Sequence, residues 1–407
     1  MPEKPKTLLF LTYQYPFLPG EYFIESEISF LSEAFSEVLV VPARCFWWRS
    51  AKTSRGLPEN VTLVDPRQLF WIQRVLYSLA GAIEMLPMIL LGRKIWPGAK
   101  VGTAGWFDEF KSMYKTCVLA HMLRHLLRTR MISSDVVAYA YWRDFSAAAL
   151  AFLRKQSLVR RLFVRCHRVD IYHPKRWSVQ SFIDSYADAI FPVSQDGFNH
   201  LVGEKGLDAG KIEVQRLGIR VPGTQTRQST DGVLRLVSCS NIVPVKRVDL
   251  IARVVALLPG RVEWTHIGDG PEKSLVDQVV ATLDSKHTAH FTGRLSNDAV
   301  YNYYSHNPVD WFINLSESEG VPVSIMEAMA HSIPCVATDV GGTSEIVHKS
   351  NGILVSADTP LEEIVSLIIQ QSPSENLEML RARARETAEE MCSAEANYRR
   401  FCKIISQ

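Results

Sequence analysis

The sequence predicts an α/β protein of two doubly wound, Rossmann-like domains, and three observations carry that reading. Short apolar runs alternate with stretches of helical periodicity along most of the chain, the pattern of a parallel sheet covered on both faces. Its 407 residues suffice for two domains with a core each. Between the two alternating regions the run Pro222 to Gly232 is polar and lacks apolar periodicity, which makes it the natural linker. The expected limits are 1–222 and 233–390 for the domains, with 391–407 as a terminal helix.

Leu8 to Leu11 reads as the first strand, since its apolar run is too short for the core of a signal peptide and is followed by Pro16 and Pro19. Glu25 to Phe35 follows as a helix and Val38 to Val41 as a strand. Val136 to Tyr139, Leu162 to Cys166 and Ile190 to Val193 complete the strands of the first half. In the second half Leu234 to Ser238 is a strand and Val248 to Leu258 an amphipathic helix. Val262 to Ile267, a helix from Pro271 to Leu283 and a short strand at His290 to Thr292 come next, then a helix from Asn297 to His306. Val309 to Leu315 reads as a buried parallel strand that runs into a Gly320-Val321-Pro322 corner. Pro322 suits the first helical position there, because its missing N–H would be unpaired anyway. Pro334 to Thr338 and Ile353 to Val355 are the remaining strands, with helices at Leu361 to Gln370 and Ala394 to Ile405.

Composition narrows the class. Hydrophobic content of 47% and charged content of 22% are those of a soluble globular chain. A formal charge of +2 speaks against polyanion binding by the whole molecule, and no nucleic-acid partner is expected. Cys45, Cys117, Cys166, Cys239, Cys335, Cys392 and Cys402 are scattered without CxxC spacing, so they read as small core residues in a reducing compartment and not as a metal or disulfide framework. The apolar stretch Val75 to Gly92 is broken by Glu84 and Pro87 and falls short of a spanning helix. A cytoplasmic location is expected. A dehydrogenase is disfavoured because no G-x-G-x-x-G follows the first strand.

The richest chemistry lies at Ser318-Glu-Gly-Val-Pro322 and Glu327. A strand-to-helix turn at the carboxyl edge of a parallel sheet points free N–H groups, here those of Val323 and Ser324, at an anion that the helix dipole also favours. Glu319 and Glu327, eight residues apart, fall broadly on one side of the turn and helix and suit hydroxyls, not phosphate. Phosphate, ribose and sugar hydroxyls in a row describe a nucleotide-sugar. Taken alone, the pair would read as a solvated loop acid and an ordinary helix-surface acid; the flanking residues reverse that preference.

Lys246 and Arg247 stand at a helix N-terminus, where two cations oppose the dipole unless a diphosphate compensates them; a solvated basic turn is the alternative. His167 ends a predicted strand beside Arg165, Arg168 and Asp170, which places it at a carboxyl strand end, although a lone histidine is often structural. Gly20, in the first strand-to-helix loop, would let phosphate or acceptor approach the backbone, or would simply serve the turn.

The flanks Phe312-Ile-Asn-Leu-Ser-Glu-Ser-Glu-Gly-Val-Pro-Val-Ser-Ile-Met-Glu-Ala-Met-Ala and Ile333-Pro-Cys-Val-Ala-Thr-Asp-Val-Gly-Gly-Thr-Ser-Glu-Ile-Val closely resemble the donor-binding core of family 4 retaining glycosyltransferases. The resemblance runs nearly continuously from Leu234 to about Val355. It implies the GT-B fold, two Rossmann-like doubly wound domains facing across a cleft, with a last helix that crosses back to the first domain. It implies that Glu319 holds sugar hydroxyls and Glu327 the ribose. Lys246 and the helix start at Gly320, Val321, Pro322 and Val323 would stabilise the leaving diphosphate, and His167 would meet the donor sugar. Where the family usually has an arginine and a glycine around the lysine, this chain has Asn241 and Arg247, which become donor-binding candidates; of the paired glycines common in the first loop it has Gly20. Gly341-Gly342 resembles the loop around the nucleotide.

The chemistry so implied is front-face transfer from a UDP- or GDP-sugar, without cofactor, to a glycan or polyprenyl-diphosphate-linked acceptor of bacterial surface polysaccharide. No D-x-D spacing occurs, so no metal is expected. Residues 67–130 carry ten cations against three anions, interleaved with Phe70, Trp71, Tyr77, Trp96, Trp106 and Phe107. That composition suits an anionic membrane surface at its inner face, or equally an acceptor-domain helix pair with a basic outer side. Two other functions stay open: an epimerase or phosphorylase of the same fold, and a non-catalytic nucleotide-sugar-binding subunit.

Overall fold

The computed structural model describes residues 7–18, 20–47, 54–69, 71–90, 106–130, 135–172 and 177–407. Of the aromatic and basic residues read in 67–130, Phe70, Arg93, Lys94, Trp96 and Lys100 lie outside the described residues, as do the side chains of Trp71, Trp106 and Phe107. The chain forms two compact units, one of Met1–Gln215 with Tyr398–Gln407 and one of Arg216–Asn397.

The first unit holds a six-stranded parallel sheet of β1 (Thr7–Thr12), β2 (Glu37–Pro42), β3 (Val61–Leu63), β4 (Val136–Ala140), β5 (Arg161–Cys166) and β6 (Ala189–Pro192), in the order β3-β2-β1-β4-β5-β6. β1 is buried along its whole length, as its continuous apolar run requires of a central parallel strand. β3 escapes the sequence reading because it has three residues, of which only Val61 is fully buried. The chain order reverses between β1 and β4. The loops after β1, β4 and β5 therefore gather at the switch point of the sheet.

The second unit repeats the plan with β7 (Val233–Cys239), β8 (Arg261–Ile267), β9 (His287–Gly293), β10 (Trp311–Asn314), β11 (Cys335–Thr338) and β12 (Gly352–Val355), ordered β12-β11-β10-β7-β8-β9. Its switch point falls between β7 and β10, which brings the Lys246 loop beside the Glu319 loop. β10 is shorter than expected: the backbone N–H of Val309 donates to Arg227 O (3.0 Å) and that of Asp310 to Arg235 O (2.9 Å), ahead of the four residues assigned to the strand. An unforeseen helix, Ser374–Met391, buries Leu377, Leu380, Arg381, Ala384, Thr387 and Ala388, a spacing of three and four that lay in the sequence unread.

The run Pro222 to Gly232 is not a free linker. Thr226 is buried, its N–H donates to His331 O (2.9 Å) and its hydroxyl to Tyr304 O (2.8 Å), so these polar residues strap the second unit, which begins at Arg216. The last helix, Ala394–Ser406, passes from one unit to the other. Its Tyr398 and Phe401 are buried in the first unit, where Phe401 lies 5.1 Å from Tyr139 and 5.3 Å from Phe191.

Candidate functional site

In the second unit β10 gives way to the loop Leu315–Pro322 and then to the helix Val323–Ala330. Pro322 stands one position earlier than expected. With ψ 109 it is the cap residue, and its carbonyl accepts from the N–H groups of Ile325 (3.1 Å) and Met326 (3.2 Å); Val323 is the first helical residue.

Glu319 is 8% exposed, and its Oε1 accepts from Lys246 Nζ at 2.5 Å and from Asn314 Nδ2 at 3.2 Å. Lys246 ends a 3₁₀ turn, Pro244–Lys246, that follows β7, and the Glu317 N–H donates to Val245 O (2.8 Å), stitching the two switch-point loops together. The carboxylate and ammonium are thus brought together by topology, from positions 73 residues apart in the chain. A half-buried ion pair of this kind is strongly held and can exchange partners with a diphosphate or a hydroxyl.

Arg247 does not join Lys246. Its guanidinium donates to Leu315 O (Nε, 2.6 Å) and Ala357 O (Nη1, 3.0 Å), so it braces the loop from behind. Its φ of 46 is left-handed, the conformation glycine adopts most easily, which accounts for the glycine expected there from the resemblance. Asn241 is exposed on the same loop.

Glu327 faces a different partner. It is 7% exposed, and its Oε1 accepts from Asn297 Nδ2 at 2.5 Å. Burial pushes its carboxyl up to about 7, against the opposing pull of the Asn297 bond and the Arg220 charge. Gly341 explains how the nucleotide-type loop fits: at φ +57 a Cβ would stand 1.9 Å from Glu319 O, and the next N–H, that of Gly342, donates to Gly320 O at 2.6 Å.

The first unit holds the other two candidates. Gly20 has φ +117 in the β1 loop, and a Cβ there would meet Gln14 Nε2 at 2.5 Å. His167 follows β5 with its ring 4.5 Å from that of Trp142, 4.9 Å from Tyr141 and 6.1 Å from Phe23. Both ring nitrogens lack a hydrogen-bond partner; Nδ1 is 3.8 Å from Asp170 Oδ2, beyond bonding reach. Asp170 instead accepts the N–H groups of His167 (3.2 Å) and Arg143 (3.1 Å) and so shapes the loop. Arg165 turns away into the core, fully buried against Glu27 (3.1 Å) and the Tyr139 hydroxyl (2.7 Å). Sequence reasoning missed Asn314, Asn297, Glu21 and Trp142. Asn314 could have been noticed as the polar break in an apolar strand, and Glu21 as the acid beside Gly20.

Residues 234–371 match the family Glycosyl transferases group 1. The chain is 28% identical over 179 residues to the Escherichia coli O-antigen biosynthesis glycosyltransferase WbnH, covering 44% of this chain and 49% of that one. It is 31% identical over 178 residues to the N-acetyl-alpha-D-glucosaminyl L-malate synthase of Bacillus anthracis, covering 42% and 43%. The chain thus spans about half the length of the curated relatives it matches. The crystal structure of Anabaena Alr3699/HepE in complex with UDP superimposes over 98% of this chain and 99% of that one, with a TM-score of 0.66 at 16% identity. That likeness and the two parallel six-stranded sheets establish a two-domain α/β GT-B fold.

Proposed function

We propose that the protein is a retaining glycosyltransferase that moves a sugar from a nucleotide-sugar to a hydroxyl of a glycan or lipid-linked glycan, in bacterial surface polysaccharide synthesis. One observation carries the reading: the Lys246–Glu319 pair sits where the loops of β7 and β10 meet, at the start of the Val323–Ala330 helix. Relatives named for O-antigen synthesis and a UDP-bound structural neighbour support it.

In this reading the diphosphate lies at the free N–H groups of the helix start, with Lys246 taking up charge as the bond from the anomeric carbon to the phosphate oxygen breaks. Glu319 holds sugar hydroxyls, Glu327 receives the ribose and His167 contacts the sugar. The acceptor oxygen bonds to the anomeric carbon on the face that the diphosphate leaves, and its proton passes to the departing phosphate. Metal independence belongs to the proposal, and EDTA should leave turnover unchanged. A thermal-shift panel of UDP-, GDP- and ADP-sugars tests donor binding, because a ligand at about a hundred times its Kd adds about 2.7 kcal/mol. Transfer of labelled sugar with the anomeric configuration kept would then separate this function from an epimerase or phosphorylase. Failure of every sugar nucleotide to shift the melting temperature would end the proposal.

Membrane contact is part of the same reading. On the Trp71–Leu90 helix, Ile72, Val75, Leu76, Leu79 and Ile83 are 52, 46, 57, 56 and 66% exposed, and their spacing puts them on one face. The buried Tyr77 packs against His121 and His125 of the Trp106–Thr129 helix. Several cations of this region have local partners: Arg67 with Asp65 and over Phe17, Arg74 over Phe46, Lys115 over Trp47. In this reading apolar insertion of that face adds to the attraction of the basic residues. Flotation with vesicles should be lost in a Leu76→Gln, Leu79→Gln variant; unchanged flotation, or none by the parent protein, would remove the lipid surface from the proposal.

A further inference from the structure

We infer that Glu21 and Trp142 are positioning residues for His167, forming a chain of carboxylate, indole and imidazole at the carboxyl end of the first sheet; the functional part of this inference rests on the transfer reaction proposed above. Glu21 is 7% exposed, and four N–H groups converge on its carboxylate. Oε2 accepts from the backbone of Gln14 and Tyr15, both at 2.6 Å, while Oε1 accepts from the backbone of Tyr13 at 3.0 Å and from the Trp142 indole at 2.7 Å. The residue reaches this place from a left-handed backbone at φ 49, directly after Gly20. A non-glycine residue holds that conformation only where its surroundings over-determine it, and four bonds to one carboxylate do so.

Tryptophan has a single hydrogen-bond donor, and here Glu21 takes it. With the N–H tethered, the indole cannot turn freely about its side-chain bonds. Its ring lies 4.5 Å from that of His167 at 41°, and Tyr141 lies 4.9 Å away at 29°. Histidines in reactive sites are usually oriented by a hydrogen bond to one ring nitrogen. Neither nitrogen of His167 has one within the protein, so aromatic packing sets the ring plane. Glu21 therefore reaches His167 through Trp142 without touching it, linking the loop after β1 to the loops after β4 and β5.

The test uses the full chain with Trp142→Phe, which keeps an aromatic ring but loses the N–H, and Glu21→Gln, which keeps the size but loses the charge. Donor affinity is measured by calorimetry with the best sugar nucleotide, kcat by transfer of labelled sugar, and the His167 ring by long-range proton–nitrogen correlation, its signals assigned with His167→Gln. In both variants kcat should fall on the order of 10- to 100-fold, as a slightly misplaced group predicts, with donor Kd within about threefold and the His167 ring signals displaced. Unmoved His167 signals would overturn the inference. So would unchanged kcat, or a loss of donor affinity equal to the loss of kcat, which marks a collapsed loop and not a turned ring. If the parent protein transfers no sugar at all, the transferase reading fails, and the ring signals still decide the positioning role. If Trp142→Phe does not fold, Glu21→Gln is read by the same measurements.

Discussion

Replacing Glu327 by glutamine should make the protein more stable at pH 8 while weakening its hold on the donor. The side chain is buried on the Val323–Ala330 helix, and its carboxyl is raised from an ordinary 4.5 to about 7, mainly by desolvation. Between those values the folded chain keeps a proton that the unfolded chain has released. Stability therefore falls as pH rises through that window, and the loss is complete above it. At 1.36 kcal/mol per tenfold change in proton affinity, the gap corresponds to roughly 3 kcal/mol at pH 8, and to about 1 kcal/mol or less at pH 5. Glutamine fills the same space, can accept from Asn297 and carries no charge to desolvate. For a domain of this size, about 2–4 °C per kcal/mol translates the gap into roughly 6–12 °C of melting temperature at pH 8. Melting curves of the two proteins from pH 5 to pH 9 measure it. Tyr301 and Tyr304 nearby feel the Glu327 charge, but burial raises both above the ordinary tyrosine range, so they stay protonated from pH 5 to pH 9 and do not titrate in the comparison; His331, lowered mainly by desolvation, is present in both proteins. Donor binding should move the other way: parent affinity rises from pH 6 to pH 8 as the carboxylate forms, and the variant binds about tenfold more weakly at pH 8 with no such rise. Parallel melting curves, with the same gap at pH 5 as at pH 8, would refute the reasoning.

Four further outcomes are expected. Lys246→Met leaves Glu319 without its cation and should cost on the order of 100- to 1000-fold in turnover, measured with labelled donor; a loss below tenfold would deny it a role in stabilising the leaving group. His167→Ala should keep donor binding within about threefold by calorimetry and lose turnover, since its ring belongs to the first unit and the Lys246 and Glu319 loops to the second. Gly341→Ala drives a methyl group into Glu319 O from a left-handed backbone, and should destabilise the chain in urea by at least about 2 kcal/mol; a change under about 0.5 kcal/mol would show that the loop yields freely. Arg165→Met strands the fully buried Glu27 and should cost about 3–5 kcal/mol, with Arg165→Met, Glu27→Gln recovering much of it; equal losses in the single and double variants would mean that the pair is not the source.

Much of the fold was legible because parallel strands write their burial into sequence. β1, β5, β8 and β11 appear within one residue of the apolar runs that announced them, and the Asn297–His306 helix coincides with its expected limits, opened by the Ser296 cap. The elements that escaped had weak local signals: β3 has three residues, and the Ser374–Met391 helix carries its buried stripe amid many charges. The polar run around Thr226 was misread for a related reason. Its bonds to Tyr304 O and His331 O come from carbonyls about 80 and 105 residues away along the chain, which no local pattern reports.

The sequence by itself determined which residues stand at carboxyl strand ends, because period and turn chemistry are local properties, and so it brought Lys246, Glu319, Glu327, Gly20 and His167 into view. Only the tertiary structure decided what each of them meets. Strand order placed the β7 loop beside the β10 loop and so joined Lys246 to Glu319, sent Arg247 to carbonyls behind the loop, and gave Glu327 an asparagine as partner in a dry setting. The same holds for His167, whose aromatic surroundings come from two separate segments of the chain, Phe23 and Tyr141-Trp142. Contacts between distant segments depend on topology and packing, which a linear pattern of residue types does not encode locally.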